Sequence, residues 1–251
     1  MKPAYRYALY LAPVGAWQAL GRQWLGRCAD TDARLTRPID SDPRLDAWTR
    51  EPRRYGLHAT LKAPFRLHDG KLPGELDQAV RSLATQQDPF GVPLQCETLR
   101  GFLAWCIHDP RARHRVNALA NAAVTTLDPF RAPTTADELA RRQPERLDAA
   151  HRKMLDRWGY PYAFETFTFH ITLTGKLDDD ALSAARASLD ALNRPALQLP
   201  MPVNAVSLYV EPEPGANFIV ARHYGFDGTT RDGAGVRFLF DTNAAHARSS
   251  R

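Results

Sequence analysis

The chain has 251 residues, a formal net charge of +5 and a mean hydropathy of −0.42. With 44% hydrophobic residues, including 11 Phe, 8 Tyr and 5 Trp, it can bury a sizeable core, which excludes disorder over most of its length. Three cysteines without a C-x-x-C pair exclude a disulfide framework and a zinc ribbon, and no stretch approaches a membrane span, so the expected address is the cytoplasm with no membrane partner.

In chain order, Tyr5 to Ala12 is rich in Tyr and Leu and stops at Pro13, the pattern of a first strand. Trp17, Leu20, Trp24 and Leu25 recur at helical spacing, which predicts a helix over residues 15–28. The polar, proline-bearing stretch 30–54 predicts a loop. A strand is expected over 57–67, a helix over 72–85, and two strands over 90–98 and 102–108 joined by Arg100-Gly101. Residues 113–127 and 135–158 are charged, alanine-rich and helical in period, with Thr134 or Thr135 as a candidate N-cap. The strand pattern returns at 167–174. A helix over 178–192 follows, opened by Asp178, Asp179 and Asp180, which suit the positive end of its dipole better than a metal. Strands are expected at 196–210 and 218–224, and the Gly-, Arg- and Ser-rich residues 227–251 read as a flexible tail within which Val236 to Phe240 could dock.

Two segments within this order match. Tyr55-Gly56-Leu57-His58-Ala59-Thr60-Leu61 and Phe167-Thr168-Phe169-His170-Ile171-Thr172-Leu173 share an aromatic, an apolar residue and a His-x-Thr-Leu tetrad, 112 residues apart. Strand alternation would bury Leu57, Ala59 and Leu61 on one face and present His58, Thr60 and Lys62 on the other. In the second segment Phe169, Ile171 and Leu173 separate from His170 and Thr172 in the same way. Imidazole titrates near neutrality, so two of them flanking one phosphate can take a proton from water and deliver another to a leaving alkoxide. Each threonine hydroxyl can donate to a non-bridging oxygen, and no metal or cofactor is required. Lys62 could add positive charge to the phosphate or face solvent. Residues 50–66 carry Arg50, Arg53, Arg54, Lys62 and Arg66 against Glu51 alone, a basic neighbourhood suited to an anionic ligand. Arg53 and Arg54 are candidates for a second phosphate or a ribose. Tyr55 falls on the apolar face, while Tyr160 and Tyr162 are candidates to line the cleft.

The tandem His-x-Thr arrangement resembles the 2H phosphoesterase superfamily, which includes RNA 2′,3′-cyclic phosphodiesterases and 2′-5′ RNA ligase-like proteins. Arg6-Tyr7-Ala8-Leu9-Tyr10, the run from Arg53 to Phe65 and Phe169-His170-Ile171-Thr172-Leu173-Thr174-Gly175 resemble its DUF1045-type branch, associated with phosphonate metabolism. The resemblance implies an α+β, bilobal and pseudo-symmetric fold, with two sheets flanked by helices around a central cleft. Lobe one would span about 1–110, a helical insertion 111–158 and lobe two 159–226. It also implies acid and base roles for His58 and His170 and phosphate contacts for Thr60 and Thr172. The substrate implied is a small phosphorylated sugar or nucleoside cyclic phosphate. The insertion departs from the compact RNA-end enzymes and makes RNA the less favoured partner. Two alternatives remain open at this stage: a phosphometabolite-binding module without turnover, and an RNA-end-processing protein acting on 2′,3′-cyclic or 2′-5′ ends.

Overall fold

The computed structural model describes residues 2–37, 41–192 and 195–240. Ten strands form in chain order: β1 (Arg6–Leu11), β2 (Ala59–Phe65), β3 (Phe90–Val92), β4 (Gln95–Leu99), β5 (Phe102–Cys106), β6 (His170–Thr172), β7 (Met201–Val203), β8 (Ala205–Glu211), β9 (Ile219–Gly225) and β10 (Thr230–Asp232). Eight of them make one sheet in the order β10-β9-β8-β1-β2-β6-β5-β4, and β3 pairs with β7 in a second, small one. Every strand pair is antiparallel. The helices are α1 (Gly15–Leu25), α2 (Leu45–Trp48), α3 (Arg50–Tyr55), α4 (Pro73–Ala84), α5 (Pro110–Leu127), α6 (Ala136–Ala140), α7 (Ala149–Trp158) and α8 (Asp179–Ala191).

Alternation along β1 explains its place in mid-sheet. Tyr7, Leu9 and Leu11 enter the main core with residues of α1, α4 and α5, while Ala8 and Tyr10 turn to a smaller cluster with Tyr209, Phe218 and Val220. A strand apolar on both faces belongs between two others, here β2 and β8.

The sheet order interleaves the two halves of the chain instead of keeping a lobe for each. Strands β8 and β9 from the second half extend β1 and β2, and β6 joins β2 to β5 and β4. The join rests on one registered pair, Ala59 opposite Ile171.

Most expected elements form near their expected bounds. The β4–β5 hairpin turns through Arg100 (φ 51°) and Gly101 (φ 87°), the two positive values that a two-residue turn of the right twist needs. Asp178 caps α8 through the Ala181 N–H at 2.8 Å, as the helix-start reading of the aspartates required.

Several expectations are corrected. The strands expected over 90–98 and 196–210 each divide, with β3 and β7 pairing in the small sheet while β4 and β8 join the large one. Residues 45–55 are not loop but two short helices. The single helix expected over 135–158 is broken: Pro144, which lacks an N–H, opens a 3₁₀ turn, and Asp148 then caps α7 through the His151 N–H. Thr135 caps α6 reciprocally with Glu138. Residues 227–235, expected as tail, continue the fold, and Val236 to Phe240 take the docked alternative. Strand β10 pairs with β9, a 3₁₀ turn over Val236–Leu239 buries Leu239, and Tyr7 Oη donates to the Phe238 carbonyl. Residues 241–251 of that expected tail lie outside the described residues. Among the described residues no helix is long and apolar enough to cross a membrane.

Candidate active site

The β2–β6 pairing sets the two motifs side by side and antiparallel. With Ala59 opposite Ile171, the same register places Thr60 opposite His170 and His58 opposite Thr172. Ala59 and Ile171 are buried in the core, and the four residues flanking them emerge on the other face. There His58, Thr60, His170 and Thr172 line one cavity of about 720 Å³.

Both imidazoles are anchored alike. His58 Nδ1 lies 2.9 Å from the Gly56 carbonyl oxygen, and His170 Nδ1 lies 2.8 Å from that of Thr168. A carbonyl can only accept, so each Nδ1 carries the proton and each Nε2 is left for the cavity. Gly56 sits at φ 75°, and a side chain there would bring its Cβ to 2.7 Å from that of Ala29, so glycine is required where the first anchoring carbonyl is set. The His58 ring stacks on Tyr10, and Phe102 lies 5.8 Å from the His170 ring.

Burial pushes His58 down to about 4, with His170 adding to the fall and the Gly56 carbonyl opposing it. His170 is lowered as well, by burial first and then by Arg100, against the pull of the Thr168 carbonyl. Both rings are therefore neutral at pH 7. A bound anion would raise them.

Lys62, expected beside Thr60, is turned away from this cavity. The β1–β2 register slips twice, between the pairs Tyr7–Phe65 and Leu9–Lys62 and between the latter and Tyr10–Thr60. These irregularities upset the alternation, so Ala63 lines the cavity and Lys62 is buried at the C-terminal end of α5. Its Nζ donates to the Val124 carbonyl and to Asp128 at 3.2 Å, and burial lowers its pKa to about 8 against the pull of Asp128.

Arg53 is likewise structural, donating to the Leu25 carbonyl, Asp46 and Thr49. Arg54 lines the cavity. So does Tyr55, which closes α3 instead of lying on the apolar face of a strand, and stacks on Phe218 with centroids 5.2 Å apart. Tyr160 lines the cavity and Tyr162 packs edge-on behind it. Residues following α5, among them Arg131, Glu138, Arg141 and Arg142, form one wall, so the stretch 131–142 of the middle segment faces the motifs.

Tyr10 and Arg6 also line the cavity and were not singled out by sequence reasoning as site residues. Two signals pointed to them: the alternation of β1, which places both on one face, and the Arg6-Tyr7-Ala8-Leu9-Tyr10 run within the family resemblance. A second polar string, Ser207–His223–Asp30, is buried and is not part of this cavity; Asp30 is tied down by Arg22 and Arg231. Among the described residues no group of three or more His, Cys, Asp or Glu is placed to hold a metal ion.

Two curated relatives share the sequence. The chain is 36% identical over 233 residues to the ribose 1,5-bisphosphate phosphokinase PhnN of Janthinobacterium sp. (strain Marseille), covering 89% of this chain and 51% of that protein. It is 38% identical over 230 residues to the protein of that name from Laribacter hongkongensis (strain HLHK9), covering 86% and 51%. The chain thus spans about half the length of the curated relatives it matches. The structure of Kluyveromyces marxianus Usb1 superposes with a TM-score of 0.36 and 13% identity, covering 87% of this chain and 98% of that one, a likeness too weak to carry an argument. The family described as "Protein of unknown function (DUF1045)" matches residues 60–219, well over half of the chain, and the chain belongs to that family.

Proposed function

We propose that the protein is a metal-independent cyclic phosphodiesterase of the 2H phosphoesterase kind, with His58 and His170 as its acid–base pair. The observation that carries this reading is the matched pair of His-x-Thr segments, antiparallel across one strand pairing, each imidazole fixed through Nδ1 with Nε2 left to the same cavity. In hydrolysis, the neutral Nε2 of one histidine takes a proton from the attacking water as the new P–O bond forms. The other histidine, protonated, gives its proton to the alkoxide as the ester P–O bond breaks. The fall of the His58 pKa to about 4 keeps that ring neutral and favours it as base, with His170 as acid. Thr60 and Thr172, which line the same cavity, donate to the non-bridging oxygens, where negative charge gathers.

The substrate in this reading is a small sugar or nucleoside cyclic phosphate, in keeping with a cavity of about 720 Å³ walled partly by the middle segment. The relatives' name speaks of a phosphorylated ribose, which favours a sugar phosphate over RNA. Their kinase activity belongs, in this reading, to the half that the present chain does not span, since its own sequence contains no G-x-x-x-x-G-K-[ST] phosphate loop. Membership of the DUF1045 family and the resemblance to its phosphonate-associated branch support a role in phosphonate metabolism.

The test is turnover by the EDTA-treated protein on nucleoside 2′,3′-cyclic phosphates, ribose cyclic phosphates and a 2′-5′ dinucleotide. Cleavage that survives EDTA and falls by about 10²- to 10⁴-fold in both His58→Ala and His170→Ala supports the reading. Undiminished turnover in either variant, or none on any substrate, overturns it.

A further inference from the structure

We infer that Arg6 and Arg54, gathered on Glu211, form a second anion subsite in the same cavity, and that it takes a phosphomonoester carried by the molecule whose cyclic diester is cleaved. The inference rests on the cyclic phosphodiesterase reading above for the second half of that statement, and on geometry for the first.

Glu211 ends β8 with its side chain fully buried. One carboxylate oxygen accepts from Arg6 Nε. The other accepts from Arg54 Nη2 and from the Gly215 N–H at 3.0 Å. One negative charge thus serves two guanidiniums, and the pair keeps a surplus positive charge. Arg54 Nε is spent on the Ala216 carbonyl. Among the described residues the remaining N–H groups of these two forks meet no protein acceptor, and both side chains line the cavity. Glu211 is the positioning residue in this arrangement. Its buried carboxylate fixes two planar forks before any ligand arrives, which lowers the ordering cost of binding a phosphate oxygen set.

The spacing suits one small substrate. Arg54 Cζ lies 5.5 Å from the Tyr55 ring centroid, and that ring lies 6.1 Å from His58. Arg6 shares a face of β1 with Tyr10, which stacks on His58; four residues of strand span about 13 Å. The path through Tyr55 puts Arg54 Cζ no more than about 12 Å from the His58 ring, within reach of one small substrate that carries two phosphates. The cavity as a whole is lined by seven basic and three acidic residues, so it suits more charge than one diester carries.

Calorimetry with a pentose 5-phosphate and the free pentose tests the subsite without any turnover. The phosphate ester should bind at least about 30-fold more tightly than the free sugar, and Arg54→Gln should remove most of that difference while His58→Ala keeps it. Arg54→Lys, which retains charge but not the fork, should fall between. If Arg54→Gln fails to fold by circular dichroism, the wild-type sugar pair and Arg54→Lys decide. Equal binding of the two sugars, or a difference untouched by Arg54 substitution, overturns the inference.

Turnover of pentose cyclic phosphates with and without a terminal phosphomonoester separates this from the parent reading. The phosphorylated ester should have the higher kcat/KM by about 30-fold, mostly through KM, and Arg54→Gln should collapse that ratio. Arg54-dependent binding with neither ester cleaved would sink the diesterase reading and leave the subsite standing. Equal cleavage of both would do the reverse.

Discussion

The imidazole of His58 lies against the ring of Tyr10 with centroids 3.9 Å apart and planes 24° from parallel. Tyr10 is itself 1% exposed and packs against Tyr209 and Phe218, so the stack transmits the rigidity of the sheet to the histidine. Tyr10→Phe keeps the stack, and kcat/KM should stay within about threefold of wild type. Tyr10→Ala should lose about 3–5 kcal/mol of stability in urea denaturation and, where folded, show a lower kcat than Tyr10→Phe. A wild-type kcat in Tyr10→Ala would show that the ring does not orient His58.

The neutral state of His58 makes folding pH-dependent. Its folded pKa of about 4 lies below the unfolded value near 6.5, so the unfolded chain binds the extra proton. The contribution is fully present above pH 6.5 and is lost as pH falls towards 4. Between pH 7 and 4.5 this group should remove about 2 kcal/mol from the stability of the wild type, and His58→Gln should lack that part of the loss. Urea midpoints at the two pH values measure it, and identical losses in both proteins would contradict the assignment.

Binding of an anion should reverse the same shift. With both rings neutral at pH 7, a cyclic phosphate entering the cavity favours the charged form of one, and complex formation should take up about one proton. Calorimetry in buffers of different ionisation enthalpy reads that uptake directly. It should shrink in His170→Ala, where the proposed acid is gone, and an uptake of zero in the wild type would argue against acid–base use of the pair.

Lys62 offers a contrast within the same motif. Because it caps α5 and pairs with Asp128, Lys62→Met should cost stability, by about 1–2 kcal/mol since Asp128 retains Arg131 at 2.8 Å. KM for a cyclic phosphate should remain within about threefold of wild type. A tenfold rise in KM without loss of stability would return Lys62 to the phosphate.

The His-x-Thr tetrads were legible because their chemistry is written in adjacent residues and repeated. Alternation then placed His58 and Thr60 on one face without further information. It failed one step later, at Lys62, because the irregularities in β2 are set by its pairing with β1 and leave no local mark. Tyr55 was misplaced for a related reason: the strand begins only at Ala59, and α3 ends on Tyr55 before it. The helical middle segment was legible as helical, including the Thr135 cap, but only tertiary packing turns its Arg141 and Arg142 towards the histidines. Glu211 was invisible as a site residue, since its partners Arg6 and Arg54 lie 205 and 157 positions away.

Strand β1 has a further consequence for how the molecule is made. It is made long before one of its two neighbours, β8, so its second edge stays open until residues 205–211 exist. That edge belongs to Tyr7-Ala8-Leu9-Tyr10-Leu11, an apolar run ready to pair with any other exposed strand. Closing the sheet over such a sequence distance makes folding slow and leaves a sticky intermediate in the meantime. Yield of intact protein will therefore depend on how long that edge waits, and slow synthesis in the cold with abundant chaperones should favour the native chain over inclusion bodies.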